Sequence, residues 1–260
     1  MSSNASFAKA VDLISRSRHL VALTGAGIST ASGIPDFRSP KSGLWSKINP
    51  YLIASVHGFR LRPKRFYKWL RPLAVKVRDA RPNPAHFALL RLEEMGLLKT
   101  VITQNVDGLH QAAGSQRVLE LHGDARRVTC MKCGKVLPSE SFIDQYVVDG
   151  TIPRCPDCRG VLKPNVVLFG ELYPVRALLE AVAEADACDV MLVAGSSLLI
   201  SPACELPLNA RESGAEIIIV NLQPTPVDRA ASVVIHENVA ELLPRIVEAV
   251  AERLSDRGDA

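Results

Sequence analysis

The sequence predicts an α/β fold: a parallel sheet wound with helices on both faces and interrupted by one small inserted module. Three observations carry this. Apolar runs of about five residues alternate with stretches of helical periodicity, the pattern of strands joined by crossover helices. The runs are apolar throughout rather than alternating with polar residues, so both faces of the sheet are covered. Four of the six cysteines fall in two close pairs, inside a stretch that breaks the alternation. With 260 residues and 47% hydrophobic content, the chain is long enough to bury a sizeable core.

The elements follow in order. Phe7, Ala10, Val11 and Ile14 recur at helical spacing and predict a first helix ending before His19. His19–Thr24 is a buried strand closed by Gly25. Phe66, Trp69, Leu70, Leu73 and Val77 mark a helix, and Pro84–Met95 another, with Asn83 as its cap, Pro84 in its first turn and Gly96 at its end. Strands are expected at Thr100–Thr103, Val118–Leu121, Val190–Ala194, Glu216–Val220 and Ser232–His236, with a helix at Pro174–Ala187. Asn238 and Glu241 form a capping-box pattern before a last helix, which Pro244 is expected to kink. Right-handed crossovers between such strands give a Rossmann-like doubly wound sheet. Residues 1–125 and 164–260 are assigned to it and 126–163 to the inserted module. Pro35–Pro63, rich in Gly, Pro and Ser, is too long for an ordinary connector and is expected to be a functional loop region.

In open parallel sheets ligands bind beyond the carboxyl ends of the strands. Those ends carry Gly25-Ala26-Gly27, Gln104-Asn105-Val106-Asp107, His122-Gly123-Asp124, Gly195-Ser196-Ser197 and Asn221-Leu222-Gln223. Ordinary turns also use Gly, Ser and Asn, but five such ends on one edge point to a site. Gly25 and Gly27 are expected to let the backbone approach a pyrophosphate. The full dinucleotide glycine pattern fails at Thr30, and no acidic residue ends the second strand.

Cys130-Met-Lys-Cys133 and Cys155-Pro-Asp-Cys158 are two C-x-x-C knuckles 21 residues apart. Four thiolates complete a tetrahedral Zn²⁺ shell and leave no open position, so the metal is expected to be structural and the module a zinc ribbon. A redox pair and an iron–sulfur cluster are the other readings of such spacing. Arg126, Arg127, Lys132, Lys135, Arg154, Arg159 and Lys163 surround the knuckles. They are a solvated basic face or, alternatively, a nucleic-acid contact, and the solvated face is preferred. Cys188 and Cys204 lie among apolar residues and are expected to be buried.

Bulk properties exclude several classes. Lys and Arg exceed Asp and Glu by 31 to 27, a net charge of +4 and too little to predict nucleic-acid binding. No apolar run approaches a membrane span, and the first residues lack the pattern of a secretory signal. The expectation is a cytoplasmic protein without disulfides.

Taken together, the motifs resemble the sirtuin family over roughly His19 to Val250. The run from Gly25 to Arg38 (GAGISTASGIPDFR) is similar to the family's cofactor motif. Thr103–His110 (TQNVDGLH), Leu121-His122-Gly123, the cysteine pairs, Lys163–Glu171 (KPNVVLFGE), Gly195–Leu198 and Val220–Leu222 follow in the family's order. The resemblance implies an NAD⁺-dependent protein-lysine deacylase. Gly25, Ala26, Gly27, Ile28, Asp36, Phe37 and Arg38 would line the phosphates and nicotinamide ribose, with the loop region 35–63 over the cofactor. Gln104, Asn105 and Asp107 would hold the ribose and nicotinamide, and Gly195, Ser196, Ser197, Asn221, Leu222 and Val239 the adenosine half. His122 would be the general base, with Asn105 and Asp107 beside it in catalysis; a histidine suits proton abstraction near neutral pH. The acyl-lysine oxygen would attack the ribose and expel nicotinamide, leaving free lysine and O-acyl-ADP-ribose.

The resemblance also implies that Val167, Phe169, Gly170, Glu171, Leu199, Ile200 and Pro202 clamp the acyl-lysine peptide by strand addition. Family members that favour acidic acyl chains carry a Tyr and, three residues on, an Arg; here Tyr67 is followed by Leu70, which implies neutral acyl groups, acetyl first. Two other readings use the same residues. One is a protein mono-ADP-ribosyltransferase; the other, a non-enzymatic NAD⁺-sensing adaptor, would call for a lost base or a broken cofactor motif.

Overall fold

The computed structural model describes residues 3–36 and 49–258. Helix α1 (Ser3–Arg16) leads into strand β1 (Leu20–Thr24), and a 3-10 helix (Ala26–Ser32) turns away from it. Short helices α2 (Pro50–Ile53) and α3 (Val56–Leu61) and the longer α4 (Pro63–Asp79) follow, then α5 (Pro84–Glu94), β2 (Leu98–Thr103), α6 (Leu109–Ala113) and β3 (Val118–Glu120). Next come β4 (Gly123–Cys130), β5 (Val136–Pro138), α7 (Glu140–Asp149) and β6 (Leu162–Val166). The chain closes with α8 (Val175–Ala187), β7 (Val190–Ala194), α9 (Leu206–Glu212), β8 (Glu216–Val220), β9 (Val233–Ile235) and α10 (Val239–Gly258).

Six parallel strands form one sheet in the order β3-β2-β1-β7-β8-β9. Side chains alternate across it with period two. Leu20, Ala22, Leu192 and Ile218 face α1, α5 and α10 in one core. Val21, Leu23, Met191, Val193, Ile217 and Ile219 face α8 and α9 in another. This is the doubly wound α/β arrangement expected from the all-apolar runs. The strand order reverses between β1 and β7, so the two strand ends diverge there and open a crevice.

A second sheet, antiparallel and three-stranded in the order β5-β4-β6, carries the cysteine pairs. Helices α3, α4 and α7 pack beside it through Phe59, Phe66, Tyr67, Tyr146, Val147 and Leu168, whose rings meet edge to face.

Three local expectations are refined. The stretch Pro35–Pro63 is not one loop: Ser55 caps α3 by accepting from the Gly58 amide at 3.1 Å, so two short helices lie within it, while residues 37–48, including Phe37 and Arg38, lie outside the described residues. Asn238 caps α10 by accepting from the Ala240 amide at 3.0 Å, but Glu241 meets the Asn238 side chain, not its backbone, so the reciprocal box is not formed. Helix α10 continues through Pro244 to Gly258.

Two buried histidines meet, His86 of α5 and His110 of α6, with ring centroids 4.9 Å apart and planes tilted by 59°. Burial lowers the His86 pKa to about 4, against the opposing pull of Asp107, and lowers that of His110 to about 3. Below about pH 6.5 the unfolded chain therefore binds protons that the folded chain refuses. Stability contributed by the neutral pair is full above that pH and is lost as pH falls towards 4. The expected slope approaches about 2.7 kcal/mol per pH unit, two protons' worth. Urea unfolding between pH 7 and about 4.5 measures it, and His110→Asn should roughly halve the slope. An unchanged slope in that variant would assign the acid sensitivity to carboxylates.

Candidate active site and zinc centre

The crevice is a cavity of about 1100 Å³ between the carboxyl edge of the large sheet and the small lobe. That volume accommodates a dinucleotide and a side chain together. Its sheet-side wall gathers Gly25, Ala26, Gly27, Asp36, Gln104, Asn105, Asp107, His122, Gly195, Ser196, Ser197, Asn221, Leu222 and Val239. Its other wall holds Val167, Phe169, Gly170, Glu171, Leu199 and Ile200. Of the residues named from sequence, Ile28 and Pro202 do not line it. Ile28 is fully buried in the core under α5, where its carbonyl accepts from Asn83 Nδ2 at 2.8 Å.

The glycines after β1 and β7 are required by each other. A Cβ on Gly27 would lie 2.7 Å from the Gly195 oxygen, and one on Gly195, at φ +63°, would lie 2.4 Å from the Ile28 nitrogen. The amides of Gly25, Gly27 and Ile28 are engaged with the carbonyls of Ala194, Gly195 and Gly25. So these glycines let two strand-end loops touch: the Gly25 and Gly27 amides cross to the end of β7, and the Ile28 amide closes its own turn.

A hydrogen-bonded chain then fixes the polar wall. Asn105 Nδ2 donates to Gly25 O and to Ser29 Oγ, both at 3.1 Å. Ser29 Oγ donates to Asp107 Oδ2 at 2.8 Å, and the other Asp107 oxygen accepts from the Leu109 amide at 3.0 Å, capping α6. Asp107 thus satisfies the first amide of α6 and also lines the cavity. Gln104 Nε2 donates to Ser196 Oγ at 2.8 Å, tying β2 to β7 across β1.

His122 Nδ1 lies 2.8 Å from the Gln104 carbonyl, which can only accept, so Nδ1 carries the hydrogen and neutral Nε2 is an acceptor. Nε2 is 3.3 Å from Tyr173 Oη, whose own hydrogen goes to Ser201 O at 2.9 Å. Towards His122 the phenol oxygen therefore offers lone pairs, a suitable partner for Nε2–H once the ring is protonated. Ser29 and Tyr173 were not among the sequence candidates. Ser29 meets Asp107 across 78 positions and Tyr173 meets His122 across 51, separations that no local motif encodes.

In the segment Val167–Glu171, Phe169 N–H donates to Ala54 O and its carbonyl accepts from Val56 N–H, at 2.9 and 3.0 Å. That edge of the segment is already paired. Glu171 Oε2 accepts from the Leu168 amide and from Lys163 Nζ, both at 2.9 Å, so its carboxylate holds its own turn.

The four cysteine sulfurs converge within 4.8 Å, with Cys130–Cys158 at 3.4 Å and Cys133–Cys155 at 3.8 Å. Tetrahedral Zn²⁺ with sulfur at about 2.3 Å places sulfurs about 3.8 Å apart, so the set fits one structural zinc ion. The knuckles are equivalent: Gly134 N–H donates to Cys130 O and Arg159 N–H to Cys155 O, and Gly134 and Arg159 share the left-handed conformation. Gly160 closes the cradle, since a Cβ there would sit 2.8 Å from Cys130 Sγ. Of the surrounding cations, Arg126 and Arg127 pair with Asp124, Lys135 with Asp157 and Lys163 with Glu171. Four of the seven cations are thus paired within the fold. Cys188 is buried, its thiol pKa pushed up to about 12, and Cys204 is half-buried.

A model of the Sir2 family matches residues 25–202. The chain belongs to the Sir2 family. It is 46% identical over 250 residues to an NAD-dependent protein deacylase of Archaeoglobus fulgidus, across 96% of this chain and 98% of the relative. A solved structure described under the mechanism and regulation of Sir2 enzymes superposes with a TM-score of 0.90 at 46% identity, across 96% of this chain and 99% of that one. A Sir2 enzyme with a deacetylated p53 peptide and 3′-O-acetyl-ADP-ribose superposes with a TM-score of 0.87 at 41% identity, across 93% and 97%.

Two outcomes follow for this Sir2-family chain. Elemental analysis should find about one zinc per chain, and Cys155→Ser should lower both zinc content and thermal midpoint. A folded, active and zinc-free preparation would overturn the assignment. Gly195→Ala should cost about 2–4 kcal/mol in urea unfolding, against about 1 kcal/mol for Gly96→Ala, whose Cβ meets nothing within 4 Å. Equal costs would show that backbone conformation alone, not loop contact, selects glycine at 195.

Proposed function

We propose that this chain removes acyl groups, acetyl first, from protein lysine side chains with NAD⁺ as co-substrate, giving free lysine, nicotinamide and O-acyl-ADP-ribose. The observation that carries the reading is the set His122, Asn105 and Asp107 on one cavity wall, with His122 Nε2 held as an acceptor. The Sir2 relatives named above support the same reaction. When bound, NAD⁺ supplies a ribose carbon with nicotinamide as leaving group; the residues of this chain orient and deprotonate.

His122 takes a proton at Nε2, and Gln104 O fixes the tautomer through Nδ1. Asn105, Asp107, Gln104, Asp36 and Ala26 border the ribose and nicotinamide half. Gly195, Ser196, Ser197, Asn221, Leu222 and Val239 border the adenosine half. The acyl-lysine peptide lies between Val167–Glu171 and Leu199–Pro202; Ala54 and Val56 take the Phe169 backbone and Glu171 that of Leu168, so strand addition falls to the Val167 carbonyl and the Gly170 backbone. We extend the reading to Phe37 and Arg38 by motif alone. A cytoplasmic setting belongs to it as well, since four free thiols at a zinc site suit a reducing compartment.

Acyl preference follows from hydrogens already committed. The Tyr67 hydroxyl donates to Leu162 O, and Leu70 beside it in the cavity wall has no hydrogen to give. A carboxylate brought beside Tyr67 and Leu70 would find no cation on either of them.

The test is peptide mass and nicotinamide release from an acetyl-lysine peptide, with and without NAD⁺. Stoichiometric NAD⁺-dependent deacetylation is expected, falling by about 10²-fold or more in His122→Ala. ADP-ribose fixed on protein instead would move the main activity to ADP-ribosyl transfer. Succinyl should leave the same peptide more slowly than acetyl; the reverse order would refute the acyl preference.

A further inference from the structure

From Asn49 to Arg78 the chain carries eight Lys or Arg and no Asp or Glu, whereas the whole chain nets only +4, so the remainder nets −4. These cations lie on α3 and α4. Arg71 is used by the fold, donating to the carbonyls of Val147 and Val148 at the end of α7, and Arg78 pairs with Asp79. Among the described residues the other six, Arg60, Arg62, Lys64, Arg65, Lys68 and Lys76, enter no ion pair and are exposed. Lys64 and Lys68 stand one helical turn apart, a like-charge spacing that disfavours the helix slightly. The fold gains nothing from this charge.

Its position points to its use. Helices α2 and α3 abut the proposed peptide clamp: Ser55 bridges Phe169, and the Tyr51 ring lies 4.6 Å from the Phe169 ring. Beside the cations lie Tyr51, Leu52 and Leu61, all more than half exposed, around a hollow of about 220 Å³ that Arg62 and Arg65 also line. Cations mixed with exposed apolar side chains match a protein surface better than a phosphate backbone, which has no apolar groups of that kind to offer.

We infer that the α3–α4 face is a docking collar for acidic protein segments flanking the acyl-lysine, so that substrates with Asp or Glu outside the clamped residues are preferred. This rests on the deacylase reading for its substrate and on charge complementarity for its sign. The collar acts mainly on encounter and KM, and it weakens as salt shortens the Debye length from about 10 Å at 0.1 M.

The experiment compares three acetyl-lysine peptides identical at the centre, with Glu, Gln or Lys in the flanks, on the full protein and on Lys64→Glu/Arg65→Glu/Lys68→Glu. All three positions are exposed, and two lie in the first turn of α4, where glutamate favours the helix. Binding of fluorescent peptide without NAD⁺ is measured alongside deacetylation, and Lys64→Gln/Arg65→Gln/Lys68→Gln should be intermediate. The expected result is a Glu-flanked peptide about fivefold or more above the Gln-flanked one in kcat/KM, through KM. That advantage should disappear in the reversed variant and at high salt, with the Gln-flanked peptide within about twofold throughout. Equal use of all three peptides, flat with salt, overturns the inference. So does duplex DNA that binds more tightly than the Glu peptide and is lost in the variant while peptide preference is kept; the face would then serve nucleic acid. If no peptide is deacetylated but the Glu peptide still binds in a salt- and variant-dependent way, the collar stands and the deacylase reading falls.

Discussion

The contact between the loops after β1 and β7 is the constraint on which the site depends. Gly27 N–H meets Gly195 O at 2.8 Å, at the point where the strand order reverses. Every other feature of the polar wall is referred to it. Asn105 donates to the Gly25 carbonyl, Ser29 leaves the same turn to hold Asp107, and Gln104 reaches Ser196 one residue beyond Gly195. A side chain at either glycine would meet backbone at 2.7 or 2.4 Å and push the two loops apart, and the error would pass to four hydrogen-bonding side chains. Sheets fix strand ends well but leave the loops beyond them free. Here the freedom is removed by backbone packed on backbone, which has fewer alternative arrangements than side-chain packing.

A second line of control runs along β4. This strand starts at Gly123, next to His122, and ends at Cys130, so the proposed base and a zinc ligand are its two ends, about 25 Å apart along the chain. β6 pairs alongside, with Gly123 opposite Val166 and Cys130 opposite Leu162, and Val167 N–H donates to the His122 carbonyl at 2.8 Å. Slippage of one strand past the other would move the base relative to the peptide clamp. The zinc knot pins one end of this pair. At the other end a Cβ on Gly123, at φ +73°, would fall 2.0 Å from the Asn165 oxygen, so only glycine permits the close pairing. A structural metal held there would fix the far end of the strand pair that carries His122.

The sequence revealed what depends on short-range pattern and concealed what depends on meeting across the fold. Strands β7 and β8 were bounded correctly because both are apolar on both faces and end at Gly195 and Asn221. The five strand ends named from sequence do line one cavity, because parallel topology brings them to one edge. β4 was not read as a strand, since GDARRVTC mixes buried and exposed positions without clean alternation. α2 and α3 were hidden in a Gly- and Pro-containing stretch because their caps are single side chains on four- and six-residue helices. Ser29 lay inside a recognised motif and was passed over because its partners, Asn105 and Asp107, come from another strand end. Spacing gives Gly25 and Gly27 as the approach to a pyrophosphate; the contact they make with Gly195 is a further demand for glycine that spacing cannot show.

The two cavity walls divide the work, and the division follows from how each is built. The sheet-side wall is assembled from strand ends, where backbone ladders stop and polar side chains must find partners; its groups are therefore ordered by bonds to one another before any ligand arrives. The small-lobe wall is assembled from the inner faces of α4 and α7, and Phe66, Trp69, Leu70, Leu73 and Ile143 present an apolar surface. Dryness would protect a reactive sugar from stray water, and Phe37, which the motif places at the nicotinamide ribose, would add to it. The described residues supply an apolar wall without it. An acyl chain entering on that side would meet a mainly apolar surface, so the proposed preference for neutral acyl groups has its origin in the packing of α4 beside the small sheet.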